Sequence, residues 1–374
     1  MKDLSLYIHI PFCKQKCIYC NFNSFCPKEN DISLYFEKLY REIKEQSQCY
    51  KDYIVKTIFI GGGTPSLVKF SYIKNLYFLI KKHFNINKDI EFTIECNPNS
   101  LTKQKIKNYK AIGINRFSIG LQAGQDNLLK MLNRPHTKKD FEKVIKELKQ
   151  EGIENFNIDI LLGIPNQSFE DIKQTLNFVL SFNPTSISAY GLIVEEDTPL
   201  FNLINTKKLI PISEEDSVKY YDYVCKELKK NGYKRYEVSN FAKKGKESIH
   251  NICYWQNGDY LGFGLSAHSK IGDKRFSNTD NFLEYINQEK HQYNEIYNPP
   301  QEEKFMERIM LTLRMEKGIN IDKFNQEFGI DFLELKKEEL NQLSKLNLIY
   351  QKGKYLKVTQ KGYKVLNYII EQLT

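Results

Sequence analysis

Long apolar runs are missing from this 374-residue sequence. No stretch approaches the roughly 20 consecutive apolar residues that a membrane-crossing helix needs. The opening segment, MKDLSLYIHIPFC, lacks an apolar core before a small-residue cleavage site, so it reads as a mature strand and not as a signal peptide. A cytoplasmic protein is therefore expected. Low-complexity tracts and solenoid-type tandem repeats are also absent, which excludes repeat architectures. A continuous basic tract is lacking too: 55 Lys and Arg against 46 Asp and Glu give +9, with the two signs alternating along the chain. Such a balance favours solubility and tolerates acidic ligands without establishing a nucleic-acid surface. A disulfide framework is not indicated, because five of the eight cysteines (Cys26, Cys49, Cys96, Cys225 and Cys253) are scattered singly. Tryptophan occurs once, at Trp255. What is present, 41% hydrophobic and 27% charged residues, is the make-up of a globular protein long enough for one large domain and a small one.

Six β-rich runs stand out, at 4–10, 55–63, 91–98, 116–122, 155–163 and 186–194. Between them lie segments such as TKKDFEKVIKELKQEG and SFEDIKQTLNFVLSF, whose apolar residues recur every three to four positions. Strand and helix alternating through six units predict an α/β fold with a parallel sheet, closed into a barrel or most of one; a doubly wound open sheet fits the same pattern. Residues 1–232 are assigned to this partial (β/α)6 TIM-like barrel. An irregular, aromatic and Gly-rich extension follows over 233–299, ending at Pro299-Pro300. Residues 300–374 read as three helices and then two strands about a Gly-Lys turn, a small winged-helix-like α+β domain. Its 13 Lys and Arg against 11 Asp and Glu are too nearly balanced for a phosphate-binding surface, so a packing role and no nucleic-acid partner are expected.

The remaining cysteines, Cys13, Cys17 and Cys20, stand at C-x3-C-x2-C spacing on a loop just after the first strand. Three thiolates so placed can converge on one centre, and Lys14 and Lys16 add positive potential that favours the deprotonated form. A structural zinc site takes four ligands, and neither a second Cys knuckle nor a His pair is available; His9, inside the strand, would have to bend back. An iron–sulfur cluster held by three cysteines accounts for the shortfall, because one iron is left open to a ligand of its own. Further along, the three glycines of GGGTP (61–65) carry no Cβ, so backbone groups there can approach a ligand closely. Glu95, Gln122 and Asp159 are polar residues near the C-terminal ends of three different apolar strands, where barrel active sites are built.

C-x3-C-x2-C after the first strand and GGGTP after the second resemble the radical S-adenosylmethionine superfamily. That resemblance implies a [4Fe-4S] cluster whose open iron chelates S-adenosyl-L-methionine and whose electron cleaves the sulfonium to a deoxyadenosyl radical. YIHIPFC, IFIGGGTPS, ECNP, RFSIGLQ, LNRPH and NIDILLGIP are similar to the branch of oxygen-independent coproporphyrinogen III oxidase. Carried over, the family's site puts Tyr7 and Tyr19 beside the cluster and the backbones of Gly62, Gly63 and Thr64 along the cofactor. It gives Glu95 the amino group or ribose, Gln122 and Asp159 the edges of the nucleoside, and Arg134 a carboxylate.

Within that branch the oxidase carries a further cysteine where this chain has Phe22, and an N-terminal extension where this chain has only 12 residues before Cys13. An aromatic at that place resembles the HemW-type haem chaperones. So does HNICYW (250–255), which is similar to their H-N-x-x-Y-W haem signature. The resemblance implies haem as a further ligand, bound by His250, Asn251, Tyr254 and Trp255, and delivered to haem-acceptor proteins, a membrane-associated acceptor included, by a chain without a transmembrane segment of its own. An imidazole can ligate haem iron axially, and Tyr254 and Trp255 offer flat apolar faces. His268 is read as a structural histidine. Homodimer formation is implied by the family and not by the periodicity. The alternative reading is the decarboxylating oxidase itself; a third is a zinc protein with a nucleic-acid module.

Overall fold

The computed structural model describes residues 1–374. Six strands run parallel: β1 (Lys2–Ile10), β2 (Tyr53–Gly62), β3 (Asn85–Cys96), β4 (Arg116–Gln122), β5 (Phe156–Leu162) and β6 (Ser186–Gly191), each hydrogen-bonded to the next in sequence order. Each parallel crossover needs a connection long enough to return the chain, and helices supply it: α1 (Asp31–Gln46), α2 (Phe70–His83), α3 (Lys103–Ala111), the pair α4 (Asp126–Met131) and α5 (Lys138–Gln150), and α6 (Phe169–Ser181). Their apolar stripes face the sheet; α5 buries Phe141, Val144, Ile145 and Leu148 at helical spacing. Thr137–Asp140 and Ser168–Asp171 form capping boxes that start α5 and α6, satisfying amides the helices cannot pair themselves. Since β4 is covered on both faces, all seven of its residues are buried.

The barrel does not close. β1 and β6 have no hydrogen bonds to each other, and the sheet continues past both. Beyond β6, α7 (Pro199–Asn205) and α8 (Glu214–Lys230) lead to β7 (Lys234–Arg235) and β8 (Asn240–Ala242), which runs antiparallel to β6. Then come α9 (Ile249–Trp255) and β9 (Tyr260–Phe263), which pairs in parallel with β1, Ser5 opposite Tyr260. β10 (His268–Ile271), β11 (Lys274–Ser277), α10 (Phe282–Asn287) and β12 (Glu295–Tyr297) finish a twelve-stranded sheet. The segment read from sequence as irregular thus supplies strands to both edges of the barrel. One core of 53 buried residues runs from Leu4 to Tyr285.

The C-terminal part comprises α11 (Gln301–Leu313), β13 (Ile319–Asn320), α12 (Ile321–Phe328), α13 (Phe332–Leu335), α14 (Lys337–Lys345), β14 (Ile349–Lys352), β15 (Tyr355–Val358) and α15 (Leu366–Leu373). It has its own core of 16 residues. The strands about the Gly-Lys turn are present, but the expected three helices become five: the third is split into α13 and α14, and α15 covers the core with Leu366, Ile369, Ile370 and Leu373. Arg235, paired with Glu316 at 2.9 Å and lying 3.5 Å over the Tyr363 ring, fastens this part to the barrel.

Candidate cluster and cofactor site

The cysteine loop is pinned at its base. Cys13 N–H donates to the Phe25 carbonyl at 2.9 Å and Phe25 N–H to that of Pro11 at 2.8 Å, so the chain leaves and returns at one point. Phe12 is fully buried there, edge-on to Phe25 and Tyr35. At the far side Ile18 N–H donates to Leu132, and Asn133 Nδ2 to the Lys16 carbonyl at 2.8 Å, tying the loop to the LNRPH segment. Behind it His9 spends both ring nitrogens, on the Tyr7 hydroxyl and the Asn23 carbonyl, each at 2.9 Å. His9 is thus a brace for the loop and not a ligand.

Cys13, Cys17 and Cys20 line one cavity of about 330 Å³ with Tyr19, Phe22, Glu95, Gln122, Arg134 and Asp159. Thr64 Oγ1 donates to Cys13 Sγ at 3.6 Å, and Arg134 Nη1 to Cys17 Sγ at 3.5 Å. Burial pushes the Cys13 and Cys20 thiols up, against hydrogen bonds from Thr64 to Cys13 and from the Phe22 backbone to Cys20. The flanking lysines are outweighed: Lys16 acts only weakly on Cys20, and its ammonium lies on the Phe22 carbonyl at 3.1 Å. A bound metal's own charge would therefore have to supply the deprotonation. No three Cys, His, Asp or Glu side chains gather round a point that a single ion could fill. A cluster takes each thiolate on a different iron, so it does not require the three to meet at one point.

The glycine turn works otherwise than its sequence suggests. Gly62 N–H donates to Glu95 Oε2 at 3.1 Å, Gly63 N–H to Ile10 and Thr64 N–H to Phe12, both at 2.8 Å. The amides are spent inside the protein, and Gly63 lines the cavity with a carbonyl that accepts no hydrogen bond from the protein. Carbonyls accept, so this wall suits an ammonium. Gly62 has φ +104°, and a Cβ there would lie 2.6 Å from the His9 ring. Gly62→Ala is expected to cost about 1–3 kcal/mol in backbone strain and to lower iron uptake by displacing His9; denaturant titration with iron analysis tests this, and full iron content would refute the bracing role.

Burial and the Asp159 charge push Glu95 up to about 8, so the carboxyl is largely protonated near neutrality until a cation faces it. Asp159, also raised by burial, accepts from Asn157 Nδ2 at 2.6 Å and from Ser118. Gln122 ends β4 with φ 72°, and Gly120 leaves room for the Gln122 amide and the Arg134 guanidinium. Arg134 is half-buried, donates to the Gly120 carbonyl at 2.9 Å and keeps a sealed Nε without an acceptor. Tyr19 lies at the same wall beside Arg134 and Cys17. Tyr7 is not brought to the cavity; its hydroxyl serves His9.

The haem-signature residues divide. Asn251 reaches the cavity, whereas His250 is 1% exposed. Its Nδ1 meets Thr57 Oγ1 at 2.7 Å, its Nε2 meets the Tyr254 hydroxyl at 2.8 Å, and its ring stacks on Phe59. Burial pushes His250 down to about 3, so the imidazole is neutral. Glu91 caps α9, accepting from Ile249 and His250 N–H at 2.9 and 3.0 Å. Tyr254 and Trp255 are half-buried on that helix. Sequence reasoning did not single out Arg116, Asn157, Ser188 or Tyr190, which also line the cavity; the one available signal was a charged Arg116 opening an otherwise apolar strand.

The donor set fits the two groups implied by the resemblance. Three thiols lining one cavity suit the cluster, while Glu95 and the Gly63 carbonyl suit an ammonium, and the Arg134 guanidinium a carboxylate. Bound there, the cluster would supply single electrons and the cofactor an activated sulfonium; this chain's residues hold, orient and enclose them. Residues 7–179 match the Radical SAM superfamily and residues 300–365 the HemN C-terminal domain. Heme chaperone HemW of Bacillus subtilis is 33% identical over 362 residues, 96% of each chain. HemW of Buchnera aphidicola (Schizaphis graminum) is 36% identical over 373 residues, 97% of this chain and 92% of that one. Coproporphyrinogen III oxidase HemN of Escherichia coli has the same fold, with a TM-score of 0.87 at 23% identity over 100% of this chain and 90% of that one. With kinship running the length of the molecule, and the cysteine loop and glycine turn meeting in one cavity, the chain belongs to the HemW family within the radical S-adenosylmethionine superfamily.

Proposed function

We propose that this protein is a haem chaperone: it binds haem, carries a [4Fe-4S] cluster and S-adenosyl-L-methionine in the barrel cavity, and passes haem to acceptor proteins. The observation that carries the reading is Phe22. It lines the cavity mouth, 61% exposed, where the oxidase motif would place another sulfur, and it stands in a chain related end to end to heme chaperones HemW. The cluster and cofactor would control assembly or transfer of haem.

His250 is the proposed axial ligand, with Asn251, Tyr254 and Trp255 beside the porphyrin. Ligation then requires α9 to give up the Thr57 and Tyr254 bonds, so haem capture is coupled to opening of that helix. Anaerobic reconstitution followed by haem titration tests the function: saturable haem binding without decarboxylation of coproporphyrinogen supports it, and turnover to protoporphyrinogen would establish the oxidase instead. A companion variant, Phe22→Cys, is expected to show no decarboxylation, because substrate contacts are missing along with the sulfur. Activity in that variant, assayed by product fluorescence, would show that this one position decides between the two functions.

A further inference from the structure

Arg116 opens β4 in the interior of the barrel and is 3% exposed. A buried guanidinium is costly unless its donors are met. Of the five N–H donors such a group carries, one is engaged, from Nη2 to Ser186 Oγ at 3.3 Å. Nε is sealed and has no acceptor. Three other arginines of the chain each pair with a carboxylate: Arg235 with Glu316, Arg308 with Glu327 and Arg275 with Glu307. Arg116 has no such partner, although Glu95 and Asp159 line the same cavity.

The surroundings are polar where a barrel core is normally filled with branched apolar side chains. Ser118, Asn157 and Ser188 line the cavity beside Arg116. Asn157 is oriented by Asp159 and by Ser188, to which its amide nitrogen donates at 2.8 Å, and its Oδ1 is left buried without a donor. The cavity therefore presents a guanidinium that feels the Glu95 and Asp159 charges but donates to neither, whereas the Asn157 oxygen beside it only accepts and takes no part in holding an anion. Arg134, already at the cysteine wall, meets the cofactor's need for a carboxylate partner, which leaves Arg116 to another molecule.

We infer that Arg116 is a receptor for a carboxylate borne by a second ligand, seated in the barrel inward of the cofactor. Two sources carry that chemistry: a propionate side chain of the haem cargo and a free small carboxylic acid. The first rests on the chaperone reading; the second does not.

The test uses the full chain with its cluster, and sodium propionate, sodium chloride, haem and haem dimethyl ester as probes. Propionate is expected to raise the melting temperature above chloride at equal ionic strength in the wild type, to do so partly in Arg116→Lys and not at all in Arg116→Gln. If haem is the source, wild type binds haem about ten- to a hundredfold more tightly than its ester, as loss of a charge-assisted pair predicts, and Arg116→Gln binds the two alike. Equal binding of both porphyrins by the wild type, with the propionate effect intact, assigns the site to a small acid. Binding of neither porphyrin with that effect intact overturns the chaperone reading and leaves the receptor standing. Absence of any propionate effect in the wild type overturns the receptor even if the variants fail to fold. So does a loss of S-adenosyl-L-methionine affinity in Arg116→Gln, which would return Arg116 to the cofactor site.

Discussion

Cys17→Ala is expected to abolish the iron–sulfur absorbance of the reconstituted protein while leaving the barrel folded. The loop that carries Cys17 is closed at its base by the Pro11, Cys13 and Phe25 backbone bonds and held at its tip by Ile18–Leu132 and Asn133–Lys16. None of these passes through the sulfur. Cys17 also lies outside the 53-residue core, so its loss removes no packing from it. The side chains that lose a partner are Tyr19 and Arg134, and Arg134 retains the Gly120 carbonyl. A loss on the order of 1 kcal/mol is expected from each bond, against complete loss of one corner of a three-point grip. Cys26→Ala is the control: Cys26 is exposed, turned to the Lys14 carbonyl, and its replacement is expected to leave iron content unchanged. Unaltered iron in Cys17→Ala, with circular dichroism showing a folded barrel, would refute the ligand assignment.

His250→Ala is expected to abolish haem binding and to lower stability by about 2–4 kcal/mol, because it empties a buried site and leaves the Thr57 hydroxyl and Tyr254 unpaired. Loss of affinity in that variant alone does not separate ligation from damage. Thr57→Val does. It removes one of the bonds that hold the imidazole in, at nearly constant side-chain volume, and so favours the open form of α9. If iron takes the freed nitrogen, haem binds about fivefold more tightly in Thr57→Val, since about 1 kcal/mol of competing hydrogen bond is gone. Titration followed at the Soret band reads both variants. Wild-type affinity in His250→Ala, or weakened binding in Thr57→Val, would move the haem site off this histidine.

The framework was legible because its signals are local. The six parallel strands contain the apolar runs read from sequence, although β3 starts six residues before its run, at the polar Asn85, and the amphipathic period of segments such as α5 and α6 marks the crossovers. The cysteine spacing and the glycine run likewise announce themselves within a few residues. What depended on long-range pairing was not readable. β9 joins β1 across some 250 residues of chain, and its Tyr-Leu-Gly-Phe is too short to declare a strand by periodicity. The use of the Gly62, Gly63 and Thr64 amides could not be foreseen, because their acceptors are Glu95 and the backbone of the cysteine loop. His250 read as a polar residue on a Gly-rich extension; its burial comes from Thr57, Phe59 and Glu91 on two barrel strands that meet α9 only in the fold. Arg116 had no sequence signature beyond its charge, and it became informative once its missing partner could be seen.

Cys13, Cys17 and Cys20 are the foundation of the site, and analysis of metal and acid-labile sulfide after anaerobic reconstitution reports on them most directly. About four iron and four sulfide per chain are expected, with a reduced-state paramagnetic signal that changes shape when S-adenosyl-L-methionine is added. Tightly bound zinc without sulfide, or a cluster signal indifferent to the cofactor, would contradict it.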